Sequence, residues 1–283
     1  MALFSLLIAI FIERMKLFPK QWQIEPLLSR FQHAFIGNNS LSSSIFLLIG
    51  LLLPSLFVAT LLWIVHEQFW GIFTLLLWVI IATICFSHTQ LRKTFKHYIA
   101  SAKHGDIQAC YHLSDELDCS LCHDAESEID LGYRVGQSVA WLNYRHYGAV
   151  AIYLIALGPI GAVFYSTVKF YSDLSKRKSL DLPLVNALCF LLDWLPSRLF
   201  SFAYLLSGNF SHGIKAWLPL ATNPIASARD IITQTAIASE ILPEKSDAPV
   251  CIQSTLSLLT LTKRTFILLV TILSFLTIFG WVS

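Results

Sequence analysis

A few polar side chains stand where the surrounding residues are almost wholly apolar, and their types suit electrostatic binding better than covalent catalysis. The stretch Leu184–Gly208 has the length and composition of a membrane span, yet Asp193, Trp194, Pro196 and Arg198 lie near its centre. Each charge there costs roughly 2.5–3.5 kcal/mol on the insertion scale, so a partner is expected. Asp193 and Arg198 are not at a spacing that an unbroken helix stacks. A break at Pro196 would turn two half-helices so that the pair meets, or faces a polar cavity. The same residues also suit an interfacial helix-turn-helix in which Asp193 caps the second helix and Arg198 reaches lipid headgroups.

Glu13 and Arg14 close the first apolar run, while Asn143, Arg145 and His146 lead into a later one. Converged with Asp193 and Arg198, they would form one cytoplasm-facing site of mixed charge suited to an anionic or zwitterionic ligand. Apart, each is an interfacial anchor. No phosphate-binding loop, dinucleotide fingerprint, H-E-x-x-H or G-x-S-x-G is present, which removes the usual marks of nucleotide use, metalloproteolysis and serine hydrolysis. Cys119-Ser-Leu-Cys122-His123 fits the haem c attachment signature, but such attachment takes place outside the cytoplasm and the charge pattern puts this loop inside. Cys110, His112, Cys119 and Cys122 are acceptable zinc ligands by type, though nothing else marks a metal-dependent fold. The carboxylates from Asp106 to Asp130 do not follow a calcium-loop spacing. Catalytic residues, metal and cofactor are therefore all read as none.

These side chains need elements to hold them, and composition names the solvent of those elements. Of 283 residues, 55% are hydrophobic and only 13% charged, with a mean hydropathy of +0.62. A soluble domain carries about twice that charged share, so lipid is required and the chain reads as an all-α, polytopic integral membrane protein. The net charge of +2 forms no basic stripe, and nucleic acid is not an expected partner. The six cysteines lie scattered, which predicts reduced thiols and no disulfide framework.

Met1–Ile12 predicts a short or tilted first helix that is retained, since neither a basic start nor a cleavage pattern marks a signal peptide. Residues 14–44 are basic and amphipathic around Trp22–Phe31 and suit a membrane surface. Ile45–Val65 and Phe69–Phe86 predict a helical hairpin across His66-Glu67-Gln68, and the Lys and Arg residues that follow place its tip outside and residues 87–147 in the cytoplasm. That region passes from a basic half to an acidic half, the pattern of two solvated helices that pair. Residues 148–168 contain Gly158-Pro159, and the basic segment 169–183 follows them. Counting one full crossing would put that segment outside, so 148–168 and 184–206 are expected to be bent or re-entrant, with two straight spans as the alternative. Residues 209–264 form a second cytoplasmic region with a linker at Pro243–Pro249, and 266–282 a final span. No internal repeat is visible, which argues against a two-fold transporter.

The residues quoted so far carry a resemblance. Met1-Ala-Leu-Phe-Ser-Leu-Leu-Ile-Ala-Ile-Phe-Ile-Glu13-Arg14 followed by Trp22-Gln23, Trp141-Leu-Asn143-Tyr-Arg145, and Leu192-Asp193-Trp194-Leu-Pro196-Ser-Arg198-Leu199 resemble the AmpE family of Gram-negative inner-membrane proteins, over the whole chain. The resemblance implies a multi-pass inner-membrane regulator, linked to β-lactamase induction and cell-wall status, that binds a ligand or a protein partner without catalysis. AmpE is in turn similar to the corrinoid synthases CbiB and CobD, which form an amide with ATP. The shared features here are Glu13-Arg14 and Trp194-x-Pro196-x-Arg198-Leu199. Those enzymes are rich in acidic and amide residues where this chain has Trp141–Arg145, so the ligands for Mg²⁺-ATP are lost and an ATP-dependent enzyme is the alternative reading.

Overall fold

The computed structural model describes residues 1–15, 19–35, 44–65, 71–119, 122, 124–240 and 249–280. Among these residues every regular element is helical: α1 (Ala2–Met15), a 3₁₀ turn (Lys20–Trp22), α2 (Ile24–Phe35), α3 (Ser44–Val65), α4 (Ile72–Phe86), α5 (Thr89–Lys103), α6 (Ile107–Glu116), α7 (Glu128–Asn143), a π-turn (Tyr144–Gly148), α8 (Ala149–Lys178), α9 (Pro183–Ser207), α10 (Phe210–Thr222), α11 (Ala228–Ser239) and α12 (Val250–Ile278). Ile45–Val65, Glu128–Lys178, Pro183–Ser207 and Cys251–Ile278 are long and apolar enough to cross a membrane, and α4 with α5 taken together make a fifth candidate. Trp63 is 82% exposed and Ile278 76%, surface that water would penalise and hydrocarbon accepts.

The chain divides into two compact units, one of Met1–Ser87, Ala149–Asp193 and Leu273–Ser283, the other of His88–Gly148 and Trp194–Ile272. In the first unit α1 packs on α4, and α3 and α4 pack on α8. The buried stripe of α1 is Ala2, Ser5, Leu6, Ala9 and Glu13, one face at helical spacing. Leu47 and Leu51 of α3 meet Val168 and Tyr171 of α8 and Val185 of α9 in its core. Gly158 interrupts α8 at φ 67°, a backbone region open to glycine, and Pro159 follows it. Trp78 of α4 occupies the space beside it, 3.0 Å from where a Cβ would stand. The bend expected in 148–168 is therefore present.

The second unit collects Tyr98, Cys110, Leu131, Val135, Val139 and Ile252 into one core. Its helices start where capping chemistry allows: Asp106 accepts from Ala109 N–H, Ser127 from Asp130 N–H, Asn209 from His212 N–H and Ser227 from Asp230 N–H, each satisfying one of the first orphan donors. The helix α5 packs against α6, with Thr94 Oγ1 donating to Glu116 Oε2 at 2.8 Å, but α6 ends at Glu116 and α7 begins at Glu128, so the acidic stretch 115–130 does not form the expected second helix. Gly132 and Gly136 let α7 approach α12 at backbone distance, for a Cβ at Gly132 would overlap the Cys251 carbonyl and one at Gly136 would lie 2.7 Å from Leu258 Cδ1. Thr255 Oγ1 donates to the Gly132 carbonyl at 2.9 Å. Two glycines one turn apart thus leave room for the partner helix's backbone.

Four expectations change. The segment 184–206 is an unbroken helix, α9, running through Pro196. The basic residues from Lys169 belong to α8, which runs to Lys178, so the connecting segment is short. Cys119 and Cys122 are joined in a disulfide, with Cα atoms 5.4 Å apart, a separation within reach of the bond. The last helix begins at Val250, upstream of Lys263 and Arg264. His66-Glu67-Gln68, His123 and most of the Pro243–Pro249 linker lie outside the described residues. Replacing Gly132 with Ala forces α7 and α12 apart and is expected to lower stability by roughly 1–3 kcal/mol, read as a reduced melting temperature in detergent, whereas Gly105→Ala, with open space at its Cβ position, shows only the smaller cost of a positive φ.

Candidate functional site

Asp193 is buried on α9 in the first unit. The Tyr165 hydroxyl of α8 donates to its Oδ1 at 2.8 Å, and the Cys189 thiol to its Oδ2 at 3.5 Å. Tyr165 in turn stacks on Tyr153, with centroids 5.2 Å apart and planes at 18°. The Tyr153 hydroxyl donates to the Leu192 carbonyl at 2.8 Å, and that contact explains why Pro196 does not break the helix. Proline has no N–H, so the carbonyl four residues earlier, Leu192, loses its helical donor. Tyr153 supplies the missing one, as a neighbouring helix must where no water can.

Arg198 belongs to the second unit and is also buried. Its Nε donates to the Ala221 carbonyl at 3.1 Å, one terminal nitrogen to the Trp194 carbonyl at 2.8 Å, and the other to the Asn223 carbonyl at 2.7 Å. Ala221 and Asn223 end α10, where orphan carbonyls gather and the helix dipole is negative. The guanidinium also lies 4.2 Å from the centroid of the Trp194 ring, a cation–π contact, and Trp194 Nε1 donates to the Pro224 carbonyl at 3.2 Å. The hydrogen bonds of Arg198 thus go to carbonyls and not to Asp193, which corrects the expected ion pair. A planar fork with several donors can serve carbonyls diverging in this way, and an ammonium cannot.

Arg145 is buried in the π-turn, 5.9 Å from the Trp141 ring centroid. Asn143 gives its amide N–H to the Val139 carbonyl of its own helix at 2.8 Å, a local bond that competes with the helix ladder and precedes the change of register. Glu13 is buried and its neighbour Arg14 exposed, as the face of α1 dictates. By unit, Glu13, Tyr153, Tyr165, Cys189 and Asp193 belong to the first, and Asn143, Arg145, Trp194, Pro196 and Arg198 to the second.

Two buried residues escaped sequence reasoning. Lys169 is 1% exposed, one turn beyond Tyr165 on α8. Its place among basic neighbours suggested a loop, although Val163, Ser166, Phe170 and Leu174 continue the helical period around it. His88 is buried beside His146, and nothing local marks it apart from the end of an apolar run. The proposed zinc ligands do not converge: Cys119 and Cys122 bond each other, His112 is exposed, and Cys110 is buried with its thiol toward the Tyr98 carbonyl at 3.9 Å. Burial foremost, then the Cys251, Asp106 and Glu128 charges, push the Cys110 thiol up to about 11, so it stays an unreactive thiol at neutral pH.

The architecture defines an all-helical, multi-span membrane protein whose intramembrane charges are engaged by its own tyrosines and carbonyls. The model of the family described as regulatory signalling modulator protein AmpE matches residues 1–283, and the chain belongs to that family. It is similar to Protein AmpE of Shigella flexneri, at 24% identity over 298 aligned residues covering 99% of each chain. No solved structure matches.

Tyr153→Phe removes the donor to the Leu192 carbonyl and is expected to cost about 1–3 kcal/mol, the range for an orphaned buried acceptor. In a Pro196→Ala background, where the backbone N–H returns, the same change costs much less, so a double-mutant cycle on thermal unfolding reads a clear coupling. Arg198→Lys keeps the charge but loses the fork, and its melting temperature falls nearly as far as that of Arg198→Ala; full retention by lysine would show that charge alone is what the site requires.

Proposed function

We propose that this protein is a non-catalytic regulator of the bacterial inner membrane that relays cell-wall status to β-lactamase induction, without a resident cofactor. The match to the regulatory family over the full length is the observation that carries this reading. Its description speaks of signalling modulation, and the chain lacks every nucleotide, hydrolase and metalloprotease motif sought in it. The polar segments 87–147 and 209–264 face the cytoplasm in this reading, by the distribution of lysine and arginine around the spans. Besides the bilayer, the partner is a small anionic or zwitterionic molecule of cell-wall origin, or a protein that carries the same information. Charges held inside apolar helices by hydrogen bonds, such as Asp193 under Tyr165, offer a receptor two arrangements that a ligand can bias.

Deleting the gene in a host with an inducible β-lactamase is expected to change the fold-induction of nitrocefin hydrolysis by a sub-inhibitory β-lactam. Wild type restores it, and Asp193→Asn, made at equal protein level, does not. In parallel, a muropeptide panel is screened by thermal shift on the detergent-purified protein, where a ligand at 100 times its dissociation constant stabilises by about 2.7 kcal/mol. Unchanged induction in the deletion strain, or ATP turnover by the purified protein, would overturn the reading.

A further inference from the structure

In the second unit two histidines from distant parts of the chain meet in the interior. His88 is the residue before α5 and His146 lies in the π-turn between α7 and α8. Both are buried, at 5% and 7% exposure, and His146 Nδ1 stands 3.2 Å from His88 Nε2. Their ring planes cross at 68° with centroids 4.1 Å apart. We infer that His88 and His146 form a two-imidazole site for a divalent transition-metal ion of the zinc, cobalt or nickel class.

Geometry, chemistry and support agree on this. Two imidazole nitrogens bound to one tetrahedral ion at 2.0–2.1 Å lie about 3.3–3.4 Å apart, close to the separation observed, and neutral imidazole is the commonest protein ligand for such ions. The backbone is specialised at both positions. His88 occupies an N-cap position yet makes no side-chain capping bond, with φ −128° and ψ 66°; its ring goes to His146 instead. A π-turn inserts one residue into a helix and re-aims the side chains that follow, and such insertions recur at functional sites. Here it carries His146 onto His88. The Tyr147 ring stands edge-on to His88, with centroids 6.0 Å apart, and Phe266 of α12 stands edge-on to Tyr147 at 6.4 Å, which restrains the His88 ring before any ion arrives.

Without an ion, one of the facing nitrogens carries a hydrogen and the other accepts it. Binding needs both lone pairs, so the tautomers with the hydrogen on His88 Nδ1 and His146 Nε2 are the ones that coordinate, and two neutral rings bind with no net change in their proton count.

The test uses the full-length protein in detergent, stripped of metal and titrated with Co²⁺ alone. Wild type is expected to develop the visible absorption bands of tetrahedral cobalt with one equivalent. His88→Gln and His146→Gln each weaken binding by at least about tenfold, while the double variant His97→Ala/His104→Ala, at exposed positions of α5 and the turn after it, leaves it unchanged. Should the glutamine variants not fold, Cu²⁺ bound to wild type answers by electron paramagnetic resonance, where hyperfine splitting from two imidazole nitrogens is expected. Binding unaltered in both glutamine variants, or a copper spectrum without paired nitrogens, overturns the assignment.

Discussion

Within an apolar helix a carbonyl without a donor costs as much as a misplaced charge, and one turn of α9 contains both problems. Pro196 strips the donor from Leu192, and Arg198 brings a cation that needs acceptors. Tyr153 answers the first with its hydroxyl, while the closing carbonyls of α10 answer the second. The proline and the arginine are thereby both compatible with a straight helix, and the residues that make them so lie on other elements. Much of what looks chemically provocative in this stretch is chemistry that the backbone demanded.

How much of this could be read in advance depends on the range over which each answer acts. Apolar length announced the spans, and Gly158-Pro159 announced a bend because both residues act on their own backbone. The buried face of α1, and with it the burial of Glu13, follows from the spacing of Ala2, Leu6 and Ala9. Pro196 misled because its consequence was decided by Tyr153, a residue whose hydroxyl is indistinguishable in the sequence from any other. Arg198 misled in the same way, since two of its three acceptors are main-chain atoms at the end of a helix that begins after it. Lys169 was assigned to a basic loop because charge was weighted above period, and the period was right. The Cys119–Cys122 bond is a local matter that composition could not reveal.

The division of polar residues between two units bears on how a regulator can be built from them. Asp193 takes a hydrogen bond from Tyr165 in the first unit, and Arg198 gives hydrogen bonds to carbonyls in the second. The helix α9 takes part in the first unit up to Asp193 and in the second from Trp194.

The seam of Gly132 and Gly136 against α12 also sets an order of events during synthesis. Tyr98 donates to the carbonyl of Cys251, 153 residues later, and Thr255 donates back to Gly132 across 123 residues. The helices α5 to α7 leave the ribosome long before the surface that covers them exists. Until α12 has been translated, two bare glycine positions and the apolar groove around them must wait uncovered, within reach of an insertase, a chaperone or a protease. Burial of this face of α7 is therefore completed only once α12 has been made.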